Sequence, residues 1–586
     1  MNNWAIGRDV KTWTDDAHMF YPERFLNSNV DLQGNHFQLI PFGSGRRKCP
    51  GIQLGLTIVK MRAKGILHFF SVLTKKSPHT NMIPSTIAIP ALFLLMFIYI
   101  LTIFLSPNKH KKRPPGPLAL PVIGNTHQLG TLPHRNLQSL ATKYGPIMYL
   151  RLGQIPTIVV SSPEAAKLFL KTHDPVFANR PHTQATDYLF YGSKGVGFSE
   201  YGPYWRDMKK LSIQHLFNAS NQELFGHLWR KELRMLVKSL ENAATKGVVV
   251  DISEKVHGLL EDIVYKIILG RNNDDQFDLK GLVSEVLRLT GAFNLADLVP
   301  WLGAFDLQGL RRRCKEISKV LDQLFEKIIK EHEQARKTQT DGKNEDFIDI
   351  LLSLMHQPMD DEQTHQITRD DIKANMLSLI SAAYDTAAIS VEWILSELLR
   401  NPRVMKNVQD ELETVVGMNR MVEEMDLSEL NYLNLVVKEN FRLHPVTPFI
   451  PRASTKDVMV GEYYIEKKSR ILVNLWALGR NPQIWSDNAD VFYPERFLNN
   501  NIDLQGHDFQ FLPFGSGRRK CLGMQLGQTA VQLVIAQLAH CFNWELPSGM
   551  KPDDLDMTES FGLTSPRSKH LLVELTRRLS SEVYDE

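Results

Sequence analysis

The run Phe514-Gly-Ser-Gly517-Arg-Arg519-Lys-Cys521-Leu-Gly523 carries the densest potential chemistry in the chain. Its glycines let a backbone turn sharply and approach a flat ligand closely. Arg519 has the fork that pairs with a carboxylate, and Phe514 offers a ring to an apolar face. Cys521 stands alone behind Arg518, Arg519 and Lys520. Cationic neighbours favour the thiolate. An apolar helix expected over Met524 to Leu538 would set the sulfur near a helix N-terminus, with the same effect. The layout suits a thiolate metal ligand. The ordinary fate of a lone cysteine is a buried, inert thiol; ten residues of pattern around this one argue for the ligand.

Three other segments place polar groups where core is expected. Glu439-Asn-Phe-Arg442 puts opposite charges at i and i+3 on one helix face, a pairing that is often mere surface decoration. Thr368-Arg-Asp-Asp371 reads as a capping-box start, and Asn401-Pro402 as a stop. The helix between them, of 32 residues, would be roughly 48 Å long at ~1.5 Å per residue. Its apolar middle, MLSLISAAYDTAAISVEWIL, contains Asp385 and Thr386. Buried polar groups need partners or a purpose. Either Thr386 bonds back to the Ala382 carbonyl with Asp385 at the surface, or the acid and hydroxyl serve chemistry; the residues alone do not choose. Trp205 and Lys209, in Tyr201-Gly-Pro-Tyr-Trp205-Arg-Asp-Met-Lys209, read by themselves as core and surface.

A large helical body is needed to hold these groups. The chain is helix-rich, with short strand-like runs at Thr157 to Val160 and Arg470 to Asn474, and a polar loop at Ala335 to Asp346. The expected fold is mainly α with small β-sheets, one catalytic domain over residues 126–586. Apolar residues make up 43% and charged residues 23%, as in globular proteins. The net charge of +3 gives no electrostatic reason to expect nucleic acid. Four cysteines without a C-x-x-C pair make no disulfide framework, so reduced thiols in the cytosol are expected.

The N-terminal region adds a membrane candidate. Ile87 to Leu105 is uncharged over 19 residues, close to the ~20 that span a hydrocarbon core. Lys109, Lys111, Lys112 and Arg113 follow and predict a cytosolic bulk. The alternative is a buried core helix; length and distance from Met1 argue against a cleaved signal peptide. Residues 82–113 are thus read as anchor and basic stop. Pro114 to Asn125, with four prolines and two glycines, is expected to be a stiff, extended hinge. Residues 4–59 repeat 476–531 without a gap, identical at 37 of 56 positions. Two copies so far apart make no solenoid. Residues 1–81 are read as a partial duplicate, from a gene-model fusion or a non-functional extension, with Met82 a natural start. Their eleven Lys and Arg resist placement in a lumen.

The Cys521 run resembles the F-x-x-G-x-R-x-C-x-G haem loop of the cytochrome P-450 superfamily. The likeness extends from about Met82 to the C-terminus and is to plant microsomal members of the A-type clan. It implies that Cys521 is the axial ligand of haem b, its electron push favouring O–O cleavage. It implies a cofactor-binding set of Trp205, Lys209, Arg452, Phe514, Gly517, Arg519, Cys521 and Gly523, with Arg452, Arg519 and the Trp205 segment reaching the propionates. It implies a buried structural triad of Glu439, Arg442 and Arg496. The α-helical segment at Ala382 to Thr386 resembles the A-G-x-D/E-T oxygen-binding motif, with Thr386 stabilising iron-bound peroxide and Asp385 relaying protons. Three residues depart from the pattern: Leu522 for proline, Ala383 for glycine, and Lys209 for an arginine whose bidentate fork it lacks. Substrate contacts are expected from Thr186 to Phe198, Leu379, Ala382, Val446 to Ile450, and Phe561 to Leu563. Their apolar character suits a hydrophobic small molecule, such as a plant terpenoid, phenylpropanoid or amino-acid-derived metabolite.

The resemblance further implies insertion of one oxygen atom from O2, with NADPH as electron source through a separate flavoprotein reductase. No strand-G-x-G-x-x-G-helix pattern supplies a nicotinamide site in this chain. Arg518 and Lys520 are expected at the reductase contact. The expected location is the endoplasmic reticulum membrane, single-pass, with the domain facing the cytosol. Two rival readings are a dehydratase or isomerase that uses no oxygen, towards which Ala383 leans, and a non-catalytic haem binder.

Overall fold

The computed structural model describes residues 112–217, 219–270, 278–338, 347–357 and 365–585. The apolar segment 87–105, the repeat copy with Cys49, and Met82 lie outside them. Among the described residues no helix is long and apolar enough to cross a membrane.

Seven helices position the site: α1 (Pro203–His215), α2 (Ile252–Leu269), α3 (Leu279–Gly291), α4 (Leu310–Thr338), α5 (Arg369–Arg400), α6 (Asn431–Leu443) and α7 (Met524–Cys541). The axis of the domain is α5, with the bounds expected from its caps. The Thr368 side chain accepts from Asp371 N while Asp371 Oδ2 accepts from Thr368 N at 2.9 Å, a reciprocal box that satisfies two orphan donors. Pro402 begins the next helix. Apolar on nearly every side, α5 has to be buried on every side, and it packs against α2, α3, α6 and α7. Leu395 and Leu398 are fully buried; truncating one to alanine costs about 2–5 kcal/mol, a large part of a typical domain's net stability.

Four strands, β1 (Ile147–Leu152), β2 (Ile155–Val160), β3 (Phe449–Ala453) and β4 (Arg470–Asn474), form one sheet in the order β1-β2-β4-β3. The two strand-like runs seen in the sequence are neighbours: β2 and β4 pair in parallel with Thr157 opposite Arg470. The antiparallel β4–β3 pair sets Ile450 opposite Val473. A smaller sheet joins Val250–Asp251, Leu572–Arg577 and Phe542–Glu545, and a two-stranded ribbon joins Val458–Val460 and Tyr463–Ile465.

Two expectations are modified. The proline-rich hinge is extended only at first: Tyr149 N donates to Pro115 O at 2.8 Å. A Cβ on Gly116 would stand 1.9 Å from Tyr149 O, so the hinge lies pressed on β1. It then turns back, with Leu120 and Gly124 exchanging backbone bonds of 3.0 and 3.1 Å. The polar stretch from Ala335 begins as helix, because α4 meets no glycine or proline and continues to Thr338; 339–346 lie outside the described residues.

Candidate functional site

The cysteine loop is folded by its glycines. Gly515 and Gly517 both adopt φ of 71°, a left-handed conformation that favours glycine. A Cβ on Gly517 would stand 2.5 Å from Asp174 Oδ1 and 2.6 Å from Leu170 O. Cys521 N closes the loop on Phe514 O at 2.9 Å, and the Phe514 ring meets Phe441 of α6 edge-on at 5.4 Å. Gly523 caps α7, its carbonyl accepting from Gly527 N at 2.7 Å. Leu522 is half-buried in this loop.

The expectation that three cations drive Cys521 to the thiolate is corrected. Burial raises the Cys521 pKa, opposed by the Gly523 N–H and by Lys520. The other two charges point elsewhere: Arg518 pairs with Asp174 at 2.5 Å, and Arg519 Nε donates to Ala178 O at 2.8 Å. A bound metal would deprotonate a coordinating thiol outright. The Cys521 side chain nonetheless touches open space. Exposure and desolvation coexist for a residue on the wall of an internal opening.

The middle of α5 has the same character. Every residue from Asp371 to Ser381 and from Ala387 to Leu399 is buried, while Ala382 and Ala383 are exposed. Exposure at the centre of a helix buried on both sides marks an interior cavity. Thr386 Oγ1 donates back to Ala382 O at 2.7 Å, the local bond the sequence allowed. Asp385 is not at the surface: half-buried, it accepts from Thr564 Oγ1 at 3.0 Å. Burial raises its pKa, opposed by His257 and by the Thr564 bond.

The haem expected from the sequence requires cations for its two carboxylates. Arg452 and Arg519 are buried next to the half-buried Arg180, and no ion pair with a carboxylate is found for the three among the described residues. Burial lowers Arg180 to about 10 and Arg519 to about 9, and holds Arg452 well below the usual guanidinium range, with Arg180 and Arg519 repelling it. Arg452 Nε has no hydrogen-bond partner among the described residues. Uncompensated buried charges cost several kcal/mol each, so the cluster fits a dianionic ligand. Trp205 lies under Arg519 at 4.4 Å and under Lys209 at 5.0 Å. Its indole N–H goes to Val196 O at 3.0 Å, and Lys209 Nζ goes to Arg518 O at 2.8 Å. These two residues therefore frame Arg519 and the cysteine loop. Arg180 escaped the sequence reading; its only signal was a lone arginine ahead of Pro181, where the backbone must be extended.

Glu439, Arg442 and Arg496 come together. Arg442 donates to both Glu439 oxygens at 2.8 Å, and Arg496 Nε to Oε1 at 2.9 Å. Arg442 also bonds the carbonyls of Gly479, Ala489 and Val491, and Arg496 those of Trp485, Asn488 and Val491. The two cations share one carboxylate and spread their remaining donors over backbone carbonyls, and the triad ties α6 to the chain leading into the cysteine loop.

The expected substrate residues converge in part. Val446 O accepts from Ser565 N at 2.7 Å, and a Cβ on Gly291 of α3 would stand 2.3 Å from Leu563 N. The Thr564–Asp385 bond joins the same loop to α5. Ile450 approaches the cysteine loop, its Cδ1 lying 3.8 Å from a Cβ on Gly515. Leu379 and Thr186 are buried, and Phe561 stacks on His134 at 5.9 Å. The Thr186 to Phe198 segment crosses α5, where Val196 N donates to Asn375 Oδ1 at 3.1 Å.

A helical body with small sheets, a glycine-built cysteine loop and an acid–alcohol pair beside an interior cavity define an oxygen-inserting haem oxidoreductase. The family described as Cytochrome P450 matches residues 1–95 and 114–572, and the chain belongs to it. It is 52% identical to Cytochrome P450 CYP736A12 of Panax ginseng over 84% of this chain and 99% of the relative. It is 40% identical to Cytochrome P450 750A1 of Pinus taeda, over 85% and 98%. It is 38% identical to Melianol synthase CYP71BQ17 of Ailanthus altissima, over 86% and 97%.

Proposed function

We propose that this monooxygenase places one atom of O2 into a C–H or C=C bond of a hydrophobic plant metabolite. Electrons come from NADPH through a separate flavoprotein reductase, and Cys521 holds the iron of haem b. The observation that carries this reading is the opening at Ala382 and Ala383, flanked by Asp385 and Thr386 inside an otherwise buried helix. When bound, haem supplies the oxygen activation that no side chain can.

The chain's own residues do the rest. Arg180, Arg452 and Arg519 hold the propionates, with Trp205 and Lys209 bracing Arg519. Phe514, Gly517 and Gly523 shape the ligand loop, and Glu439, Arg442 and Arg496 fix its distance from α6. Thr386 keeps a hydroxyl at the opening, steadied by the Ala382 carbonyl. Asp385, whose pKa burial raises, sets an acidic group beside it. Leu379, Ala382, Val446, Ile450, Phe561 and Leu563 exclude water and orient an apolar substrate. Terpenoids, phenylpropanoids and amino-acid-derived compounds all match that lining, and a relative named melianol synthase supports including precursors of melianol among the candidates.

Residues 82–113 anchor the domain to the endoplasmic reticulum with 114–125 as hinge, and residues 1–81 are a partial duplicate; the separate family match at 1–95 supports the duplication. Arg518 and Lys520, beside the cysteine loop, meet the reductase. Microsomes holding the full chain and reductase, supplied with isotopically labelled O2 and candidate metabolites, should give product carrying one labelled atom with stoichiometric oxygen uptake. Product formed without oxygen uptake would favour the dehydratase or isomerase reading that Ala383 suggests.

A further inference from the structure

The chain from Glu559 to Arg567 folds back on itself, and its two ends meet as an antiparallel backbone bridge. Ser560 N donates to Pro566 O at 2.9 Å, and Ser568 N to Thr558 O at 2.8 Å. The base of this turn is fastened at three places. Glu559 bonds His134 and Arg135. Ser565 N donates to Val446 O at 2.7 Å, and Ser565 O accepts from the Trp393 indole N–H of α5 at 3.0 Å. Arg567 donates to Ser396 Oγ of α5 and to Asp556 O. The tip, Phe561 to Thr564, is half-buried. Among the described residues it makes one side-chain hydrogen bond, from Thr564 Oγ1 to Asp385 Oδ2 at 3.0 Å.

That bond distinguishes the two oxygens of Asp385. A hydroxyl donates, and a carboxylate only accepts. When the carboxyl is protonated, the oxygen that accepts from Thr564 is the carbonyl oxygen, so the proton belongs to the other. The other is Oδ1, which has no hydrogen-bond partner among the described residues and lies open rather than buried. Thr386, the next residue, does not compete for Oδ2, because its hydroxyl is committed to Ala382 O at 2.7 Å.

We propose that Thr564 is a positioning residue that holds Asp385 by Oδ2 and so leaves the acid proton on Oδ1, the open oxygen. The inference rests on the reading of Asp385 as the acid of the opening. The same bond latches the tip of the turn to α5. Phe561 and Leu563, proposed above as substrate contacts, stand three residues and one residue before Thr564. One contact therefore sets both the seat of the substrate and the place of the proton.

The test compares Thr564→Val, Thr564→Ser and Asp385→Asn in the full-length haem-loaded protein, with no substrate added. The first readout is the infrared carboxyl band of protonated Asp385, identified by its loss in Asp385→Asn. Thr564→Val keeps the branched shape and removes the donor. Its band should move to higher frequency, because the carbonyl oxygen has lost a hydrogen bond. It should also persist to higher pH, because a bond that favours the carboxylate is gone. Burial, which raises this pKa, and His257, which opposes it, both stay in place. Thr564→Ser should restore frequency and midpoint. Thr564→Ala gives the same reading should the valine variant fail to load haem. The second readout is amide hydrogen exchange. In Thr564→Val the amides of Gly562 to Thr564 should exchange about fivefold faster, the scale of one lost hydrogen bond, while that of Ser565, bonded to Val446 O, keeps its rate. A wild-type band frequency and midpoint in Thr564→Val would overturn the proposal, as would a serine variant that behaves like valine. Should Asp385→Asn remove no titrating band, the reading of Asp385 as an acid fails, and the proposal with it.

Discussion

Glu439 Oε1 and Arg496 Nε meet at 2.9 Å although 57 positions separate them in the chain. The bond is buried, and the same oxygen also accepts from Arg442 and from Tyr493 N. One carboxylate thus fixes the path by which the chain enters the cysteine loop.

Glu439→Gln removes the charge and keeps the shape. Two buried guanidinium groups then lack their counter-ion, and breaking such a pair costs about 3–5 kcal/mol. Thermal unfolding of the haem-loaded protein should show a large drop in Tm, with less haem retained per chain. A variant with wild-type Tm and haem content would remove the triad from the account.

Arg452→Leu and Arg519→Leu each delete one cation from the cluster that includes Arg180. The apoprotein should be no less stable, because an uncompensated buried charge is removed. Haem should leave faster, read as transfer to an excess of apomyoglobin. Faster loss without apoprotein destabilisation separates ligand binding from folding; unchanged transfer rates would mean the arginines serve something else.

Acid should loosen the substrate loop through Glu559. This residue is 7% exposed and bonds His134 at 2.9 Å and Arg135 at 2.6 Å. Burial pushes its pKa up, but His134 and Arg135 outweigh that and hold it at about 2. The folded value lies below the unfolded one near 4.5, so the stabilisation is present above pH ~4.5 and lost as pH falls towards ~2. Urea midpoints measured down this range should fall more steeply for wild type than for Glu559→Gln. Parallel slopes would contradict the assignment.

Thr386→Ala removes the hydroxyl at the opening without touching the helix's packing. Reducing equivalents should be diverted, so hydrogen peroxide released per NADPH should rise while product falls by about tenfold or more, the span of a positioned acid–base group. Ala383→Gly should move the same ratio the other way by clearing a methyl from the cavity, at a helix cost of about 1 kcal/mol. Peroxide ratios unchanged in both variants would contradict the roles given to this segment.

What the sequence disclosed follows from how local each signal is. The bounds of α5 were legible because a capping box and a proline act within a few residues. The Arg442–Glu439 contact was legible from helical spacing, and β2 and β4 from their β-branched runs. The direction in which a long side chain points is not local. Arg518 turns to Asp174, 344 positions away, which removes a charge the linear pattern assigned to Cys521. Arg180 was missed for the same reason: only the packed fold brings it to the other arginines.

The carbon-monoxide difference spectrum of the reduced protein tests the central claim most directly. Wild type and Cys49→Ala should show the Soret band of a thiolate-ligated haem. Cys521→Ala should lose it, and Cys521→His should keep haem with the band of a nitrogen ligand. A thiolate band that survives replacement of Cys521, or vanishes only with Cys49, would contradict the assignment of the iron to this sulfur.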